Sequence, residues 1–240
     1  MGLLKWSVRI HKWVALVVGV QIVLWIAGGL VMSAIPIEQV RGEHKVSEWT
    51  VQPFDPARTI SLEEAANAAS LVRVKTATLG HVLGKPVWRL TSDADTLVTI
   101  DARTARIISP IDENTARQIA EADYSRDAEI EAVSLVSDPP AEYGRPGPVW
   151  QVRFDDPGDT TLYIHPERAE VLARRSSTWR FYDFFWKLHV MDYDDGESFN
   201  HPLLITAAGA AIFVALSGML LLIIKTRRSI LVWRNRRHSA

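Results

Sequence analysis

Three of the seven histidines in this 240-residue chain stand where an apolar run begins or ends. His11 lies in RIHKW, one turn before the first run, while His189 closes an aromatic stretch, WRFYDFFWKLH. His201 directly precedes the second run, in FNHPLL. A neutral imidazole serves as a metal ligand or, near neutral pH, as a proton carrier. His189 and His201 are joined by the polar knot DYDDGES and fall at one depth relative to the second run, so they can converge on one site or each face a second copy. Loop hydrogen bonds and helix capping are the plainer alternative for both, and marking a helix end is the plainer one for His11. Asp192 and Asp194 in the knot can orient a neighbouring imidazole, as carboxylates beside ligating histidines do. The knot also has the composition of a calcium loop, but the twelfth position from Asp192 is Leu203, where such a loop needs a bidentate glutamate. A solvated turn is the reading. His44, His81, His165 and His238 read as surface or loop residues.

Other chemistries find no residues here. The chain has no cysteine, which excludes disulfides, zinc-thiolate sites, Fe–S ligation and cysteine-attached haem. It also lacks a P-loop, a G-x-S-x-G elbow, an H-E-x-x-H helix and a dinucleotide fingerprint. Electrons for any reductase must therefore come from another protein. A net charge of -1 gives no sign of a nucleic-acid partner.

The elements that must position the histidines are two apolar helices. Residues 14–33 form the first transmembrane helix; VALVVGVQIVLWIAGGLVM carries no charge and covers roughly 30 Å, the thickness of a bilayer core. It is too long for the apolar core of a signal peptide, and SAIPIEQ is a poor cleavage site, so an uncleaved span is expected. Residues 202–224 form the second, with Pro202 suited to a first helical turn. Lys5, Arg9 and Lys12 precede the first span; Lys225, Arg227, Arg228, Arg234, Arg236 and Arg237 follow the second. Both termini (1–13 and 225–240) are thus expected in the cytoplasm and the segment between outside, in the periplasm across a bacterial inner membrane. Ala207, Ala211 and Ala215, with Gly28 and Gly29, offer close helix packing against each other or a second copy. Gln21, near mid-membrane, either bonds across a helix interface or lines a cofactor or ion path.

Between the spans a unit repeats. After a connector (34–58), SLEEAANAASLV opens with the capping box Ser61 and Glu64, and strands are expected at 75–81, 86–92 and 96–101. A second helix at 112–123 precedes strands near 130–136, 149–154 and 161–165. PVWRLTSDADTLVTIDARTARII aligns with PVWQVRFDDPGDTTLYIHPERAEVL, so residues 59–110 and 111–175 form two αβββ repeats. Residues 176–201 read as an amphipathic aromatic helix and the acidic turn, with Phe181, Phe185 and Leu188 on one face.

A strand beginning P-V-W-x-[LV] followed by one ending D-x-x-[TR]-[GA]-x-[IV] resembles the PepSY domain, present twice. RIHKWVALVVGVQIVLWIAGGLVMS and LHVMDY followed by FNHPLL are similar to the membrane helices of PepSY-associated transmembrane proteins. Ala105 and Ala169 stand where that turn often has glycine. The resemblance implies an α+β fold: two transmembrane helices flanking a periplasmic tandem PepSY-like domain of antiparallel sheets, each with a helix. It also implies a function. Relatives with more helices resemble siderophore-iron reductases and other electron carriers that hold b-type haem between histidines. A chain with two spans needs a dimer or other membrane subunits to do the same, with His11, His189 and His201 as candidate ligands. The alternative is a non-redox module, anchored in the lipid bilayer, that binds a periplasmic protein partner, regulates a peptidase or assembles a membrane complex.

Overall fold

The computed structural model describes residues 2–47, 55–192, 200 and 202–238. In chain order the helices are α1 (Gly2–Ala34), α2 (Ile37–Val40), α3 (Leu62–Ala68), α4 (Glu113–Asp123), α5 (Ser177–Val190) and α6 (Pro202–His238). The strands are β1 (Val74–Val82), β2 (Lys85–Ser92), β3 (Leu97–Asp101), β4 (Glu129–Val136), β5 (Val149–Asp155), β6 (Thr161–His165) and β7 (Glu170–Arg175). They divide into two compact units: residues 1–34 with 182–240, and residues 35–181.

The first unit is built on two helices long and apolar enough to cross a membrane, Lys12–Ala34 and Pro202–Leu231. Neither carries a proline inside its apolar stretch beyond the first turn, and Pro36 disfavours helix in the residue before it, so α1 stops at Ala34. Val17, Val23, Ile26 and Leu30 on α1, and Ile205, Ile212 and Phe213 on α6, are each more than 60% exposed. That much unburied aliphatic surface along whole helices calls for lipid rather than water.

The second unit holds two antiparallel sheets, ordered β1-β2-β3 and β4-β5-β6-β7. In each, one helix lies ahead of its strands. Ser61 caps α3 with a full capping box, its hydroxyl accepting from Glu64 N while Glu64 accepts from Ser61 N; Asp112 caps α4 by accepting from Thr115 N at 2.8 Å. The repeated Pro-Val-Trp has a shared purpose. Trp88 Nε1 donates to the carbonyl of Ile60 and Trp150 Nε1 to that of Ile111, each at 3.1 Å, tying the strand to the residue just before the helix cap. Leu90, Ile100 and Ala65 form a small core in the first repeat. The larger core joins both repeats, with Val82 and Val87 packed in one cluster with Ile119, Val152, Leu162 and Ile164. Each repeat alone is too short to bury enough apolar surface, and the shared cluster supplies the rest.

The repeats also interlock through polar contacts. Arg89 Nε donates to the carbonyl of Arg168 at 2.8 Å and Thr99 Oγ1 to that of Glu167, while within the second repeat Ile111 N donates to that of Pro166 at 2.9 Å. All three grip the β6–β7 turn. β7 itself is an addition to the expected three-strand repeat: EVLARR continues from the turn and pairs with β6.

Candidate functional site

Along α1, Gln21, Trp25, Gly28 and Gly29 recur every three or four residues and so share one face. The last turn of α5 lies on that face. A Cβ added at Gly28 would sit 3.2 Å from both the Cβ of His189 and the carbonyl oxygen of Phe185. That is tighter than ordinary Cβ packing, so the absent side chain at Gly28 eases the approach of α5.

This close approach sets the histidine. His189 Nδ1 lies 3.1 Å from the carbonyl oxygen of Trp25. A carbonyl only accepts, so Nδ1 carries the proton and donates. In the neutral ring the lone pair is then on Nε2, which no described residue engages. A ring tethered at one nitrogen to a backbone carbonyl and presenting the other is the arrangement of a ligating imidazole. Beside it an open apolar groove of about 480 Å³ is lined by Trp25, Met32, Trp186, His189, Val190 and Leu204.

The other candidates fall as follows. The backbone of His11 belongs to α1, fourteen residues before Trp25, or roughly 21 Å along the axis at 1.5 Å per residue. His11 and His189 therefore mark two separate positions, not one site. His201 and Asp194 lie outside the described residues. Asp192 follows Met191, whose φ of +56° turns the chain out of α5, and the carbonyl of Trp25 accepts from Nδ1 of His189. Gln21 lines a second cavity of about 650 Å³ between α1 and α6, together with Val17, Trp25, Met191, Thr206 and Ala207. Its Nε2, like Nε1 of Trp25, is buried and meets no acceptor among the described residues. No group of three or more His, Asp or Glu side chains gathers to hold a bare metal ion among the described residues.

Two polar clusters in the second unit are matched within themselves. Asp156 accepts from Thr160 N at 2.7 Å, Thr160 Oγ1 and Tyr124 Oη at 2.8 Å and Lys45 Nζ at 3.2 Å. Burial pushes this carboxyl up, but the four donors prevail and hold its pKa at about 2. Glu142 accepts from Tyr163 Oη at 2.6 Å and from Arg180 Nε at 2.8 Å. Burial raises that carboxyl and the Arg180 and Tyr163 donors more than offset it, leaving it below the usual glutamate value. Such satisfied networks fix structure: the first pins the connector, the second the opening turn of α5.

From sequence Gly28 reads only as one of several small residues, and Trp25 carries no signal of its own. Their roles depend on the approach of α5, some 160 positions later, and only the coincidence of a glycine one turn beyond a tryptophan hints at it. The family model described as PepSY-associated TM region matches residues 8–240. No curated protein and no solved structure matched the chain.

Proposed function

Because the chain belongs to the PepSY-associated TM region family, we propose that it is a membrane subunit of a transmembrane electron-transfer system, of the ferric- or siderophore-reductase kind, holding b-type haem. The tether of His189 to the Trp25 carbonyl supports this reading, because it leaves Nε2 as the ring nitrogen that could hold haem iron on a residue that lines an apolar groove. Haem iron would supply one-electron transfer there. His201, or the same histidine of a second copy, would complete the pair, which is why a dimer or partner subunits belong to the proposal. His11, roughly 21 Å along α1, would serve the opposite side and divide the crossing in two. The basic residues at both ends support a topology with both termini in the cytoplasm of a bacterial inner membrane and His189 towards the outer face.

The test is an absorption spectrum of the detergent-purified chain from haem-replete cells, with any partners retained. A Soret band that vanishes in His189→Ala and His201→Ala is expected; colourless protein rejects the haem reading. A second reading, a module that binds a periplasmic protein, draws support from a polar cleft of about 480 Å³ in the second unit. Lys85, Asp101, Arg106, Asp112 and Gln118 line it. Charge reversal of Lys85 and Arg106 that releases a cross-linked partner would favour that reading.

A further inference from the structure

The two repeats close the same turn with different acceptors. In DARTAR the carboxylate of Asp101 takes the N–H groups of Arg103 and Thr104; in HPERAE the Nδ1 of His165 takes those of Glu167 and Arg168. Burial raises the Asp101 carboxyl, but the Arg103 and Thr104 donors outweigh it and keep it below 3.8. An imidazole gives up its lone pair on protonation. Near neutral pH only the second turn can lose its acceptor.

The surroundings of His165 match neither protonation state completely. Glu167 Oε2 stands 3.2 Å from the same Nδ1. With a lone pair there, the ring satisfies two N–H groups and is set against a carboxylate. With a proton there, it satisfies the carboxylate and is set against two donors. Titration therefore exchanges partners. Burial lowers the pKa of His165 below 6.5; Arg168 in the turn and Arg145 ahead of β5 act the same way, against Glu167 and Glu170. The neutral ring's contribution to stability is thus complete above 6.5 and is lost as pH falls through the lower folded value.

Both peptide units that His165 holds are held at their other end as well. The Pro166–Glu167 unit gives its N–H to the ring and its carbonyl to Ile111 N; the Glu167–Arg168 unit gives its N–H to the ring and its carbonyl to Thr99 Oγ1 of the first repeat. A peptide unit is planar, so turning its N–H turns its carbonyl. Ile111 lies between Pro110 and Asp112, which line the polar cleft. We propose that His165 is a pH-operated latch: protonation passes Nδ1 to Glu167, frees both peptide units, and loosens the first repeat and the Ile111 wall of the cleft from the β6–β7 turn.

Hydrogen exchange of the full-length, detergent-purified chain from pH 7.5 to pH 4.5, corrected for intrinsic rates, tests it. The amides of Glu167 and Arg168 should lose protection about tenfold, as the loss of one ordinary hydrogen bond gives, with Ile111 following. The Asp101 turn should keep its protection over the same range. His165→Asn, whose side-chain oxygen accepts at every pH, should show no acid loss in the second turn. Glu167→Gln, which removes the carboxylate that favours the imidazolium, should move the loss to lower pH. Circular dichroism checks that both variants fold. Unchanged protection in the unaltered chain overturns the proposal, as does an equal acid loss in His165→Asn or an unmoved midpoint in Glu167→Gln.

Discussion

At the scale of single residues, the repeated turns show how two chemistries fill one role. Asp101 Oδ1 accepts from Arg103 N and Thr104 N at 2.8 and 2.9 Å; in the second repeat His165 Nδ1 accepts from Glu167 N and Arg168 N at 3.2 and 3.3 Å. Accepting these two bonds calls for a lone pair on Nδ1, although the Glu167 carboxylate also lies 3.2 Å from that nitrogen. Burial, aided by Arg168 and Arg145 against the pull of Glu167 and Glu170, holds its pKa below 6.5. Ala105 and Ala169 then take φ of +59° and +49°, the left-handed region, and donate back to the carbonyls of Asp101 and His165. Glycine suits that backbone better. Ala105→Gly should therefore raise stability by about 0.5–1 kcal/mol in a thermal melt. Ala169, packed in the shared core, gives up buried methyl contact on the same change, and should come out near neutral. The alternation of the two alanines was visible in the aligned repeats; the donors they serve were not, because local turns are closed by atoms that a one-letter code does not display.

At the scale of elements, most strands lie where alternation and turn residues put them, as the Gly84 turn between β1 and β2 illustrates. β7 escaped because EVLARR follows a tight turn and ends in two arginines, a pattern that reads as a loop until β6 offers it hydrogen bonds. α6 runs to His238 because nothing between Met219 and the basic tail breaks a helix, although the apolar signal ends earlier. The pairing of α5 with α1 was illegible for another reason: it depends on a missing side chain. Gly28→Ala should push the last turn of α5 away from α1 and lengthen the His189 to Trp25 contact, since its Cβ would meet atoms at 3.2 Å. Thermal stability of the detergent-solubilised chain should fall by about 1–3 kcal/mol. Gly19→Ala, with open space around the added carbon, should be neutral or slightly stabilising.

At the scale of the whole molecule, residues 35–181 form one cooperative body, because the two repeats share a core and a gripped turn. Its acid limit is set in part by Asp156, only 7% exposed beside Lys45. A carboxyl with a lowered pKa stabilises the fold fully above its unfolded value near 3.8 and loses that contribution as pH falls through about 2. The shift corresponds to about 2 kcal/mol. Denaturant midpoints taken from pH 5 to pH 2 should drop accordingly, and Asp156→Asn should start lower at pH 5 and flatten the slope. The family, the two apolar helices and the repeated fold were all legible from sequence. The site was legible only as three histidines; what singles out His189 is a carbonyl on another helix. Electron paramagnetic resonance of the ferric protein, purified from haem-replete cells with its partners, tests that assignment most directly. The account predicts a low-spin signal from two imidazole ligands that turns high-spin in His189→Ala. A sample without haem iron, or a low-spin signal that His189→Ala leaves unchanged, would contradict it.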